Sequence, residues 1–190
     1  MILYINACVR RESRTAQLAG HLISRLEGQT LEFRPAEAGF PTADESFIAR
    51  RDSLIGSGRF DDQLFAPARA FAAADEIVIA APYWDLSFPA ALKQYFEQIN
   101  VVGITFRYSP EGIPVSLCRA KRLFYITTAG GMILSDDYGF GYVRSLAENF
   151  YHIPEVYQVK AEGLDLPDTD IEGVLRRAEE DIDCLIGKLS

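Results

Sequence analysis

Three stretches of this sequence combine residue types suited to holding a charged, flat small molecule. The first is Cys8-Val9-Arg10-Arg11-Glu12-Ser13-Arg14-Thr15, where three of the chain's 19 basic residues fall between positions 10 and 14. Ser13 and Thr15 stand where a helix begins, and a helix N-terminus offers unpaired N–H groups and partial positive charge to a phosphate. The same residues also suit a Ser13 that only caps the helix, with the arginines simply solvated. The second stretch is Ala81-Pro82-Tyr83-Trp84-Asp85-Leu86-Ser87-Phe88-Pro89, which holds the only Trp. Its aromatic and amide surfaces suit a planar heterocycle, or else pack beneath the next helix. The third is Thr127-Thr128-Ala129-Gly130-Gly131-Met132. Its paired glycines permit positive φ and close backbone approach to a ligand, or form an ordinary strand-to-helix turn.

Other reactive residue types offer less. His21 and His152 lie on helical segments without an acidic or Cys partner at ligand spacing. No G-x-S-x-G occurs, so the sequence carries no nucleophile elbow. Cys8 has arginines nearby that would favour a thiolate, yet its strand-end position better suits a small, partly buried residue. Cys8, Cys118 and Cys184 form neither a C-x-x-C nor a zinc spacing, and read as reduced thiols of a cytoplasmic protein. Asp136 and Asp137 have no companion motif and read as solvated, so no metal site is expected.

The elements that must position the three stretches alternate between strand and helix. Strands are expected at Ile2 to Ala7, Leu31 to Arg34, Ile77 to Ala81, Arg122 to Thr127 and Val156 to Ala161. A first helix carries Leu18, Leu22, Ile23 and Leu26 on one face. A short helix is expected around Glu45 to Leu54 and another near Asp61 to Ala74. Ser87 can cap a helix that buries Phe88, Leu92, Tyr95, Phe96 and Ile99. Ser109-Pro110-Glu111-Gly112 reads as a type I turn joining Thr105–Tyr108 to Ile113–Val115 in a hairpin. Phe140, Val143, Ala147 and Phe150 mark a further helix face. Thr169-Asp170-Ile171-Glu172 has capping-box spacing and opens a last helix through Val174, Leu175, Ala178, Ile182 and Leu185.

Alternation of this kind predicts an α/β three-layer sandwich: a five-stranded parallel sheet, helices on both faces, right-handed crossovers and one extra hairpin. Five strands fit the order 2-1-3-4-5 better than a six-strand dinucleotide fold, and no G-x-G-x-x-G or P-loop Lys is present. In such sheets the ligand lies beyond the C-terminal strand ends at the reversal of strand order. The loops after strands one, three and four occupy that place, and they are the three stretches described.

Composition bounds the partners. The 190 residues suit one domain, 1–190, large enough to bury a sizeable core without disulfides. A net charge of -8 argues against nucleic acid and anionic membranes. No apolar run approaches a membrane span, and the N-terminal Met-Ile-Leu-Tyr-Ile is too short, with its charges on the wrong side, for a secretory signal.

At these residues the chain resembles the FMN-dependent NADH:quinone oxidoreductases, or azoreductases, of the flavodoxin-like superfamily. The resemblance is strongest from Ala81-Pro82 through Leu92-Lys93-Gln94-Tyr95-Phe96 to Gly103-Ile104-Thr105-Phe106-Arg107-Tyr108, and extends over essentially the whole chain. Ile126 to Gly131 and Ser13-Arg14-Thr15 follow two further motifs of that family. The resemblance implies an FMN phosphate site on Cys8, Ser13, Arg14 and Thr15, with ring contacts from Tyr83, Trp84, Asp85 and Leu86. Thr128, Ala129, Gly130 and Gly131 would close the other edge. Cys8 departs from a usual Ser, with Arg10 placed to compensate; Asp85 departs from an Asn and Ala129 from an Arg, and no His follows Gly131.

The implied chemistry is ping-pong, two-electron reduction of a quinone or azo compound by NADH or NADPH. FMN would carry the reaction, and the Gly130 and Gly131 amides would face the charge that develops on it. A homodimer is expected, the site lying at its interface beneath Phe106, Tyr108, Tyr138, Phe140, Tyr142, Phe150 and Tyr151. The alternatives are a non-enzymatic flavodoxin-like electron carrier and a flavin-free binding protein of the same fold.

Overall fold

The computed structural model describes residues 1–189. Five parallel strands form the central sheet: β1 (Ile2–Asn6), β2 (Thr30–Phe33), β3 (Glu76–Ala80), β6 (Arg122–Thr128) and β7 (Glu155–Ala161). β4 (Phe106–Tyr108) and β5 (Pro114–Ser116) pair antiparallel as a separate hairpin. The sheet order is β2-β1-β3-β6-β7. Counting sheet strands alone, this is the expected 2-1-3-4-5, a flavodoxin-like fold.

The two-residue period of the strands separates two cores. Leu3, Ile5, Ile77, Ile79, Leu123 and Tyr125 face one layer, built from α2 (Glu45–Gly56), α3 (Ala66–Ala73), α4 (Ala90–Ile99) and α5 (Phe140–Asn149). Ile2, Tyr4, Val78, Ala80, Phe124 and Ile126 face the other, built from α1 (Arg14–Ile23) and α6 (Ile171–Leu189). β1 and β3 are nearly continuous apolar runs because both their faces are covered.

Three helix starts differ from the sequence expectation. Ser87 does not cap α4, which begins at Ala90 after Pro89. Ser87 instead closes a tight turn with Trp84, and its hydroxyl donates to the Tyr138 carbonyl at 2.6 Å. The helix expected from Asp61 starts later: Asp62 caps one 3₁₀ turn, Gln63–Phe65, and Pro67 then opens α3. At α6 the cap is Asp170 rather than Thr169. Its carboxylate accepts the Gly173 N–H at 2.9 Å, and a side chain at Gly173 would collide with it. Thr169 donates to the Gly163 carbonyl instead. Leu26 falls outside α1, which ends at Ile23.

The hairpin turn closes as expected, with the Gly112 N–H donating to the Ser109 carbonyl at 3.0 Å. The aromatics around it are mostly internal. Phe106 is buried against Phe150 with ring centroids 5.0 Å apart, and Tyr151 is buried against Phe71. Phe140 and Tyr142 are half-buried, which leaves Tyr108 and Tyr138 as the exposed members of the expected patch. No described helix is long and apolar enough to cross a membrane.

Candidate functional site

After β1 the chain turns inward before it reaches the surface. The Cys8 N–H donates to the Asn6 side chain, and Cys8 is buried with its sulfur 3.8 Å from the Ala80 carbonyl. Burial raises its thiol pKa, against which the Ser13 and Thr15 hydroxyls pull only in part. Cys8 therefore floors the site as a neutral thiol and does not line it. Arg10 and Arg11 lie on the rim, and neither pairs with a carboxylate among the described residues.

Ser13 occupies the N-cap of α1 in extended conformation, and its Oγ accepts the Ala16 N–H at 3.2 Å. The Arg14 and Thr15 N–H groups precede the first intrahelical bond, so they remain open to a ligand. The Thr15 hydroxyl is not similarly open. It is buried and shares a 2.6 Å hydrogen bond with the Thr128 hydroxyl, which stitches α1 to the end of β6.

The second stretch continues the ladder beyond the sheet, the Tyr83 N–H donating to the Thr128 carbonyl at 2.9 Å. Trp84 and Ser87 then exchange two backbone hydrogen bonds of 3.0 and 2.8 Å around Asp85 and Leu86. Asp85 and Leu86 have φ of 50° and 68°, a left-handed pair without glycine. Tyr83 and Trp84 line the cavity, whereas Asp85 and Leu86 project beyond its lining.

In the third stretch neither Gly130 nor Gly131 has the positive φ that paired glycines permit. Close approach is what Gly130 provides: a Cβ there would stand 2.3 Å from the Asp165 carboxylate. The loop after β7 docks along this turn. Gly163, Leu164 and Asp165 N–H groups donate to the carbonyls of Gly131, Ala129 and Gly130 at 2.8, 3.1 and 2.8 Å. The Gly130 and Gly131 N–H groups have no acceptor among the described residues. Ala129 is buried at the turn, and Gly131 lies outside the cavity lining.

Together these segments enclose a cleft of about 980 Å³. It lies beyond the C-terminal ends of β1 and β3, where the strand order reverses. Its volume is at the upper end for small-molecule sites. One end presents open helix N–H groups and arginines; the other presents Tyr83, Trp84 and Gly130. That donor set fits a mononucleotide with its phosphate at α1 and its ring between the second and third stretches. Leu164 and Asp165 also line the cleft and escaped the sequence reading. Their signal was the fifth strand, whose following loop must leave the sheet on the same side as the other three.

The sequence profile of the flavodoxin-like fold family matches residues 1–183. A FMN-dependent NADH:quinone oxidoreductase of Clostridium beijerinckii is 41% identical over 186 residues, covering 93% of each chain. FMN-dependent NADH:quinone oxidoreductase 2 of Clostridium acetobutylicum is 36% identical over 193 residues, covering 94% of each. Among solved structures, a FMN-dependent NADH-azoreductase of Bacillus anthracis in complex with FMN superposes with a TM-score of 0.79. It is 22% identical and covers 99% of this chain and 98% of its own, a likeness of fold. With a fold profile matched almost end to end and relatives this similar across nearly their whole length, the chain belongs to the flavodoxin-like family of FMN-dependent NADH:quinone oxidoreductases.

Proposed function

We infer that this protein is an FMN-dependent oxidoreductase that passes two electrons from NADH to a quinone. The observation that carries the reading is one continuous cleft with open phosphate donors at one end and a flat aromatic and amide slot at the other. FMN, when bound, accepts a hydride from the nicotinamide and returns two electrons to the acceptor.

The chain's own part is binding and electrostatics. The Ser13 hydroxyl and the Arg14 and Thr15 N–H groups would hold the phosphate, with Arg10 close by on the rim. Cys8 supports them from below. Tyr83 and Trp84 would bound one edge of the ring, and the Asp85–Leu86 turn keeps Trp84 in place. The Gly130 N–H, which lines the cleft, would face the ring's carbonyl edge, where negative charge grows on reduction, while Gly131 lies just outside that lining. No side-chain nucleophile is required, so donor and acceptor can use the same face in turn, a ping-pong order. Azo compounds are flat acceptors of the same kind, and NADPH is the second candidate donor. Three free cysteines suit a reducing cytoplasm.

A homodimer completes this reading, on a surface that keeps Tyr138 of the expected patch and otherwise draws on the segments beside the cleft. Trp84, Leu86, Met132, Leu134 and Tyr138 are exposed, with Leu134 at 80%. They come from the two segments joined by the Ser87–Tyr138 hydrogen bond beside the cleft. An apolar rim of this kind suits a second copy that roofs the cleft and excludes water.

Anaerobic stopped-flow mixing of the purified yellow protein with NADH tests the reading. Bleaching of the flavin absorbance, reversed by adding a quinone, is expected. A yellow protein that NADH leaves unbleached is an electron carrier, and a colourless protein that ignores added FMN is a flavin-free member of the fold. Light scattering tests the assembly: a mass near 21.2 kDa for the fully active protein would remove the dimer.

A further inference from the structure

Arg14 follows the N-cap of α1, at the phosphate end of the cleft, but its side chain does not stay there. Its guanidinium reaches the loop after β7, 2.9 Å from the Asp165 carboxylate and 3.4 Å from the Leu164 carbonyl. Asp165 is in turn fixed against the glycine turn. Its N–H donates to the Gly130 carbonyl, and its other carboxylate oxygen occupies the space that any side chain at Gly130 would need. Both charged groups line the cleft. An ion pair is thereby held beside the Gly130 amide proposed to face the ring's carbonyl edge. A surface pair of this exposure contributes little to folding, so stability does not account for so specific an anchorage.

We propose that Arg14 and Asp165 offset one another's effect on the redox balance of the bound flavin, with Arg14 serving the ring end of the cleft and not its phosphate end. The proposal rests on the reading of the cleft as an FMN site. Reduction adds negative charge to the ring, so a nearby cation favours the reduced form and a nearby carboxylate opposes it. In the intact pair the two effects nearly cancel. Arg14→Gln leaves the carboxylate uncompensated and shifts the balance towards oxidised flavin. Asp165→Asn frees the guanidinium and shifts it the other way.

The test uses the purified FMN-loaded protein, its midpoint potential measured by anaerobic photoreduction against a reference dye. Each single variant is expected to change the ratio of reduced to oxidised affinity about tenfold, about 30 mV for a two-electron couple. The signs should be opposite, and the double variant should return close to wild type. Fluorescence titration of the apoprotein with FMN and with riboflavin, which lacks the phosphate, supplies the second readout. Arg14→Gln should weaken both ligands alike. Selective loss of FMN affinity at an unchanged potential would make Arg14 a phosphate ligand and overturn the proposal. Equal-sign shifts in both single variants would also overturn it, by reducing the pair to a packing element. Wild-type protein that binds neither ligand would instead refute the FMN site itself.

Discussion

The two ends of the central sheet treat their polar groups in opposite ways. At the N-terminal strand ends charge is met by charge. The Met1 ammonium sits 2.5 Å from Asp75, Arg119 pairs with the same carboxylate at 2.8 Å, and Arg122 grips Glu76 across adjacent strands. At the C-terminal ends, the Arg14–Asp165 pair apart, Arg10 and Arg11 have no carboxylate partner among the described residues. The N–H groups of Arg14, Thr15, Gly130 and Gly131 meet no acceptor among those residues. Both ends belong to the same five strands, so strand chemistry does not explain the contrast. The reversal of strand order does: it splays the loops after β1 and β3 and leaves a crevice that the loops do not fill. One end has been closed for stability, and the other keeps its donors free for a ligand.

The contrast is broken most severely by Arg122→Ala. Glu76 and Arg122 side chains are only 15% and 27% exposed, and Glu76 Oε2 is buried without a partner among the described residues. Removing the cation strands a nearly buried carboxylate, at a cost of about 3 kcal/mol in chemical denaturation. FMN affinity should stay within about twofold, because the pair lies at the far end of the sheet. A parallel loss of affinity would show that the two ends are not independent. Thr15→Val should behave differently. It leaves the buried Thr128 hydroxyl unpaired and costs about 1–2 kcal/mol. It also loosens the start of α1 from β6, so FMN affinity should fall with stability. Stability lost with affinity intact would reduce this hydroxyl pair to ordinary packing.

Legibility in the sequence followed the same division. Regular elements were readable because their apolar spacing is governed by the layers they pack between: Leu3 and Ile5 face one core while Ile2 and Tyr4 face the other. Helix starts were less readable where two residues compete for one role. Asp170 outcompetes Thr169 as a cap because Gly173 leaves room for its carboxylate. Ser87 was unavailable as a cap because a turn had already engaged it. At the site, residue types pointed to the right loops but not to side-chain direction. Thr15 turns inward to Thr128, Cys8 becomes floor, and Arg14 leaves its own loop for Asp165. For the loop after β7 the fifth strand indicates only the side on which it leaves the sheet; its contacts with Ala129, Gly130 and Gly131 are long-range and made by backbone, so no residue type marks them.

Thiol chemistry sharpens the comparison by a smaller margin. Burial raises the Cys8 thiol and pushes Cys118 up to about 12, whereas Cys184 is exposed. Iodoacetamide at neutral pH should therefore label Cys184 first and leave Cys8 protected even without FMN, which mass spectrometry of the peptides reads directly. Early labelling of Cys8 would mean that the floor of the cleft opens in solution. A thiol raised on folding supports the fold below its unfolded value and withdraws that support as pH climbs through the folded one. For Cys118 this places a decline in stability between about pH 9 and about 12, and Cys118→Val should flatten it.

The smallest effect is expected at the two tight turns, which differ in how they reach the left-handed region. The hairpin turn uses Gly112, at φ 80°, far from any ligand. The turn beside the cleft places Asp85 and Leu86 at 50° and 68°, where a Cβ crowds the backbone. Each such residue costs about 1–2 kcal/mol, and strain of this kind is kept where the geometry it enforces is useful. Here that geometry is the double hydrogen bond that fixes Trp84 at the edge of the cleft. Leu86→Gly relieves the strain but adds freedom to the unfolded chain, for a net gain of roughly 0.5 kcal/mol. Leu86 is 44% exposed within one subunit, so little packing inside the fold is lost with it. The melting comparison is made at protein concentrations low enough to remove any contribution from a second copy. The variant should melt slightly higher than the parent while bleaching more slowly with NADH, because a relaxed turn holds Trp84 less firmly. The equivalent change at the other turn, Gly112→Leu, should lower the melting temperature and leave bleaching untouched. If Leu86→Gly also melts lower, the turn is held by contacts of Leu86 itself, and the strain has no separate purpose at the site.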